Sequence, residues 1–246
     1  MQQVEAPPTA MVPRVLVFFD YACQFCYLDW PRFKRLRAEH GAELFIVPFE
    51  LRPELAPEGV PVDQLGGHSE RVKEHMQRMA HESGLTLTFP EFVPNTHLAL
   101  SLGEYGRDQG PEAHEAIHEA IFEAYSGRSE NIGERDVLLK IAEDHAFDID
   151  DVQLAWDEGR FDDRIHRFFH LALSMGISAT PSALICNELF IGTRPYRVIE
   201  ESLERCMVIP DKIGGSALHT HREAESSVEE PTLASEAEGK PPTIDR

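Results

Sequence analysis

Cys23 and Cys26 stand three residues apart in "VFFDYACQFCYLDWPRF" (17–33), directly after a run of apolar and aromatic residues. Two cysteines at that spacing either grip a metal or exchange electrons as a disulfide. A structural zinc site asks for four ligands, usually with a second Cys or His pair at close spacing. The remaining cysteines, Cys186 and Cys206, are single and 20 residues apart, so no metal is called for. Cys23 falls where a strand gives way to a helix, and there unpaired N–H groups and the positive end of the helix dipole favour a thiolate. Cys26, nearly one turn further in, faces the interior. A pair so placed fits a dithiol catalyst, in which Cys23 attacks a disulfide and Cys26 resolves the mixed disulfide. Two thiols packed in an apolar turn are the bland alternative.

The flanking pattern supplies the frame. "RVLVFFD" (14–20) is β-branched and aromatic, a short buried strand. From Cys23 to His40 apolar residues recur at helical steps (Cys26, Trp30, Phe33, Leu36), and Gly41 closes the helix. "AELFIVPFE" (42–50) is a second strand, so the unit is βαβ with parallel strands. Proline-rich 53–66 leaves the sheet. Helices are expected at 69–84, 96–109, 111–126, 134–146 and 162–176. Then Ser182–Cys186 and Leu189–Ile191 read as a hairpin with its turn at Asn187-Glu188, and 195–206 as a closing helix.

The chain has 246 residues and a net charge of −20, which disfavours nucleic acid and anionic membrane surfaces as partners. "MQQVEAPPTAMVPR" has no basic start leading into an apolar stretch, and no run is apolar enough to span a bilayer. A cytoplasmic location is therefore expected. In that reducing compartment four cysteines are not expected to act as structural staples. Cys186 and Cys206 then read as packed, free thiols, with a second redox pair as the sharper alternative.

Other residues admit two readings. His114-Glu115-Ala116-Ile117-His118 matches the zincin pattern HExxH, with two imidazoles one turn apart. No third ligand stands out, so surface or half-buried histidines are expected. Asp20 reads as a solvated strand end or as a buried carboxylate that assists proton transfer at Cys26. Asn95-Thr96 most simply caps the helix that follows.

The run "FFDYACQFCY", Pro31 five residues after the second cysteine, and a distant "SATPS" before a strand resemble the thioredoxin superfamily. "PNTHLAL" (94–100) and "FIGTRPYRVIEESLER" (190–205) resemble its DsbA branch, and within it the FrnE-like group of thiol–disulfide oxidoreductases. The likeness covers about residues 14–206.

The resemblance implies an α/β, thioredoxin-like fold over 13–53 and 162–210, interrupted by an α-helical insertion domain over 54–161. Outside that likeness, the polar, proline-bearing start, 1–12, and the Glu-, Ser- and Pro-rich end, 211–246, lack an apolar period and are expected to be disordered. Thr180-Pro181 takes the place of the superfamily's cis-proline loop, facing the cysteines and offering backbone to an extended substrate. Gln24 and Phe25 lie between the cysteines where strongly oxidising relatives carry Pro-His, so a less oxidising couple is expected. The activity implied is oxidation, reduction or isomerisation of protein or small-molecule disulfides, with no cofactor and with glutathione as a redox partner. Two rivals stand: a glutathione-dependent isomerase or kappa-type transferase, which usually carries serine at the first position, and a redox-inactive binding module.

Overall fold

The computed structural model describes residues 12–56 and 58–208. Its sheet has four strands in the order β2-β1-β5-β6. β1 (Arg14–Phe19) pairs in parallel with β2 (Glu43–Pro48), and α1 (Gln24–His40) makes the crossover. On its other side β1 meets β5 (Ser182–Ile185), which turns back into β6 (Glu188–Ile191), both pairings antiparallel. A βαβ unit from the start of the chain is thus completed by a hairpin from its end.

The alternation along β1 decides which face each side chain serves. Val15, Val17 and Phe19 point into the large core with Trp30, Phe33 and Leu36 of α1 and with Ile199 and Leu203 of α8 (Tyr196–Val208). Leu16 and Phe18 point the other way, under Phe168, Phe169 and Ala172 of α7 (Asp162–Ser174). Phe18 is fully buried there, so truncating it to alanine should cost about 3–5 kcal/mol.

Between β2 and β5 the chain is helical: α2 (Glu70–Ser83), α3 (His97–Asp108), α4 (Pro111–Phe122), α5 (Arg135–Asp144), α6 (Ile149–Asp157) and then α7. One turn of π-helix, Glu123–Gly127, follows α4. The hydrophobic cluster is continuous from β1 and α1 through α3 to α6. Close approach requires Gly103 on α3, because a Cβ there would lie 2.6 Å from the Tyr21 hydroxyl.

Four features depart from the sequence reading. α6 was not expected; the Asp148 side chain caps it, and Val152, Ala155 and Trp156 are its buried stripe. A two-residue ladder joins β3 (Val60–Pro61), in the proline-rich 53–66, to β4 (Phe92–Val93), and neither strand was expected. The hairpin turns at Cys186-Asn187, one residue early, because Cys186 takes a left-handed φ of 57°. Cys186 and Cys206 are bonded to each other rather than free, with Cα atoms 6.3 Å apart. β5 and α8 bring them together although 20 residues separate them in sequence. The segments read as disordered, 1–12 and 211–246, lie outside the described residues except for Val12.

Candidate active site

Cys23 is the N-cap of α1, with extended backbone (φ −86°, ψ 97°) and no acidic residue in the helix's first turn. Its carbonyl accepts the first helical bond from Cys26 N at 2.8 Å. Its sulfur therefore faces open N–H groups and the positive end of the dipole with no nearby first-turn carboxylate to oppose it. Cys26 is buried and Cys23 half-buried. The Cys23 thiol is pulled down in pKa, first by a hydrogen bond from Cys26, then by Thr180 and the Cys26 amide, against the cost of burial. Burial pushes the Cys26 thiol well up, and the bond to Cys23 adds to it. The environment thus sets the two thiols apart, Cys23 shifted down and Cys26 shifted up.

The remote half of the site comes from the start of β5. The Thr180–Pro181 peptide bond is cis, and the Cys23 thiol donates to the Thr180 carbonyl at 3.4 Å across 157 residues of sequence. The Thr180 hydroxyl is buried without a partner in the neutral pair. A thiolate on Cys23 supplies that partner, which is why Thr180 lowers its pKa. Behind Pro181 lies a cavity of about 10 Å³, walled by Asp29, Phe190 and Ile199. It has room for one water at most.

A stretch of the helical region, 85–93, is tied to the start of α1 beside the cysteines. The Gln24 amide donates to Thr88 O at 2.7 Å and the Tyr27 hydroxyl to Thr86 O at 3.1 Å. Thr88 is itself anchored through its N–H to Ser126 O at 2.7 Å. Gln24 thus faces inward as a tie between the two halves, while half-buried Phe25 meets the ring of His68 edge-on, 6.0 Å between centroids. The sequence reading missed His68. Its only signal is the Gly66-Gly67 pair before it, both at positive φ, which turns the loop toward α1.

Asp20 is buried, not a solvated strand end. Its carboxylate accepts from Ala22 N at 2.8 Å, Leu51 N at 2.6 Å and the Thr96 hydroxyl at 3.2 Å. Burial raises its pKa to about 6 against those three donors, and Glu50 adds repulsion. Of the pair expected to cap α3, Asn95 does so, its Oδ1 accepting from His97 N at 2.9 Å, whereas the Thr96 hydroxyl is spent on Asp20. Glu50, also buried, pairs with His97 Nδ1 at 3.2 Å, and His97 Nε2 with Asp162 at 3.0 Å. The hydrogen bond to Glu50 leads in raising His97 to about 9.

His114 and His118 are both buried, deeper than the sequence suggested. His118 packs edge-on to Phe19, Trp30 and Phe122, with Nδ1 3.2 Å from the Tyr21 hydroxyl. Burial holds His118 well below its ordinary pKa and lowers His114 to about 3. These are neutral core rings. The one grouping of metal-type ligands among the described residues is Glu39, His40 and Glu200. Glu39 is already engaged by Arg35 and Tyr196, and His40 by Glu200.

The sequence matches the family described as DSBA-like thioredoxin domain over residues 14–204. The uncharacterized protein YwbO of Bacillus subtilis is 26% identical over 200 residues, spanning 78% of this chain and 96% of that protein. Among solved structures the fold is similar to a probable DsbA oxidoreductase, SCO1869 from Streptomyces coelicolor. That match has a TM-score of 0.71 and 20% identity, over 78% of this chain and 89% of that one. It is also similar to the cytosolic disulfide reductase DsbM from Pseudomonas aeruginosa, solved with GSH, at a TM-score of 0.56 and 14% identity, over 80% and 100% of the chains. No helix of the described residues is long and apolar enough to cross a membrane.

Proposed function

Because the chain belongs to the DsbA-like thioredoxin domain family, we propose that it is a cytoplasmic, FrnE-like thiol–disulfide oxidoreductase that works through Cys23 and Cys26. The observation that carries this reading is the asymmetry of the pair. Cys23 is half-exposed at a helix N-terminus and bonded to Thr180, whereas Cys26 is buried and protonated.

In the reducing direction, the Cys23 thiolate attacks one sulfur of a substrate disulfide and expels the other as a thiolate. The Cys26 thiol then gives up its proton and attacks the Cys23 sulfur. A Cys23–Cys26 disulfide forms, the second substrate thiolate leaves, and two electrons have passed to the substrate. Asp20, poised near 6 and buried beside the pair, is the acceptor for the Cys26 proton above that pH. The oxidising direction is the reverse sequence, and isomerisation stops at the mixed disulfide.

Substrate enters between the Thr180-Pro181 loop and the 85–93 wall, with Phe25 and His68 at the mouth. Residues 13–53 and 162–210 carry the chemistry, and the inserted 54–161 supplies the second wall. No cofactor is required. Glutathione serves as the small-molecule redox partner, a role in keeping with the GSH bound by DsbM. The serine that marks kappa-type enzymes is replaced by Cys23, which speaks for dithiol exchange over that alternative. Equilibration of the protein in glutathione buffers, with acid quenching and alkylation, tests the proposal. A reversible Cys23–Cys26 disulfide and glutathione-dependent reduction of insulin are expected; a pair that never oxidises leaves only the redox-inactive binding module.

A further inference from the structure

The second pair of cysteines sits at the far pole of the same strands. β1 runs from Arg14, whose carbonyl accepts from Cys186 N at 3.4 Å, to Phe19, just before the active-site turn. Its six residues span about 20 Å, too far for the two pairs to exchange electrons within one molecule. Cys186 and Cys206 are both half-buried, so neither residue is sealed in the core. Cys186 occupies a turn position at φ 57°, a left-handed conformation that favours glycine or asparagine. A cysteine there serves through its sulfur, which ties the hairpin to α8.

Helix polarity sets the chemistry of this tie. Cys206 lies in the last turn of α8, at the negative end of the dipole, where a thiolate is disfavoured. The neighbouring cation, Arg205, is engaged by Glu188, which also accepts from Ser202 at 2.8 Å. Cys23 has the opposite placement, at a helix N-terminus. Stabilising a thiolate favours the reduced form of a pair, and destabilising one favours the disulfide.

We propose that Cys186–Cys206 is a second thiol–disulfide site, open to monothiols of the glutathione class, that stays oxidised under conditions that reduce Cys23–Cys26. Its reduction removes the covalent tie between the C-terminal end of α8 and the sheet, leaving the bonds of Glu188 to Ser202 and Arg205. The incoming thiolate attacks the Cys206 sulfur, because Cys186 is the better leaving thiolate. A mixed disulfide forms on Cys206. A second thiolate then attacks the outer sulfur, releasing Cys206 as a thiol and one small-molecule disulfide; two electrons and two protons enter the protein. α8 contributes Ile199 to the wall behind Pro181, so this helix borders the other site's loop.

The test is a titration of the full chain through a series of reduced-to-oxidised glutathione ratios, quenched in acid, alkylated and read cysteine by cysteine by peptide mass spectrometry. At every intermediate ratio the disulfide fraction of Cys186–Cys206 should exceed that of Cys23–Cys26, with midpoints at least tenfold apart in ratio. Glutathione trapped on this pair should be found on Cys206. Equal or reversed disulfide fractions, or trapping on Cys186, overturn the proposal. Hydrogen exchange of the Cys23→Ser, Cys26→Ser variant, before and after reduction with dithiothreitol, reads the second half. Amides of α8 should exchange at least tenfold faster once reduced while those of α1 do not change, and an unaltered α8 refutes the release.

Discussion

The two ends of the sheet hold chemically identical pairs of cysteines and treat them in opposite ways. At one end Cys23 begins a helix and faces the Thr180 carbonyl and hydroxyl, with Cys26 buried one turn behind it. At the other, Cys206 ends a helix and is bonded to a hairpin turn. A cysteine's function here follows from the helix end on which it lies and from what the neighbouring strand presents, not from the residue itself. The cheapest way to break that comparison is to remove one sulfur at a time.

Cys23→Ser should show the largest effect, loss of insulin reduction to background, whereas the Cys186→Ser, Cys206→Ser double variant should keep activity within about threefold. Full activity in the Cys23 variant would move the chemistry to the far pole. Next, Cys26→Ser should accumulate mixed disulfides through Cys23, visible as reducible adducts on non-reducing gels, because the resolving thiol is gone. An adduct-free Cys26 variant would deny the pair its division of labour.

Asp20 sharpens the comparison, since the far pair is a hairpin-to-helix tie while the near one has a buried carboxylate raised to about 6. The resolving step should slow as pH falls through about 6, where Asp20 holds its own proton and cannot take that of Cys26. Asp20→Asn should lower the rate at least about 100-fold and flatten that acid limb in stopped-flow measurements. A limb that survives the substitution assigns the titration to another group.

On stability, breaking the far tie with Cys206→Ser opens a loop of 20 residues and should cost about 3 kcal/mol. That corresponds to a fall in Tm of roughly 6–12 °C for a domain of this size. A Tm within a degree of the parent would remove the tie's structural role. The smallest effect belongs to His97. Its pKa is raised to about 9, so the folded state binds its proton more tightly than the unfolded chain does. The resulting stability is present in full below about 6.5 and is lost as pH rises through 9. His97→Gln should erase about 1–2 kcal/mol of that slope, after allowance for the ring's partial exposure, in urea titrations between pH 6 and 10.

Much of the near pole was legible because local signals coincide there. An apolar run, a cysteine, a helical period and a second cysteine one turn on leave little freedom, and "SATPS" pointed to its partner loop. For Asp20 the sequence left two readings open, because nothing local reveals that the Leu51 amide and the Thr96 hydroxyl converge on it. At the far pole the sequence favoured free thiols over a second pair for the same reason: only a β5 register that places Cys186 beside Arg14 brings Cys206 within reach. α6 escaped because its buried stripe, Val152, Ala155 and Trp156, is too short to establish a period without its Asp148 cap.

The bond from Cys23 to Thr180 crosses 157 residues, and that distance has a meaning in time. At ribosomal rates of 5–20 residues per second, the chain carries its reactive cysteine for about 8–30 s before the opposing loop has been made. During synthesis β1 has β2 on one side and an open edge on the other. On the proposed mechanism, the nascent protein presents its attacking thiol long before it owns the loop that faces it. A chain cut anywhere before β5 is left with the sulfur and without the site.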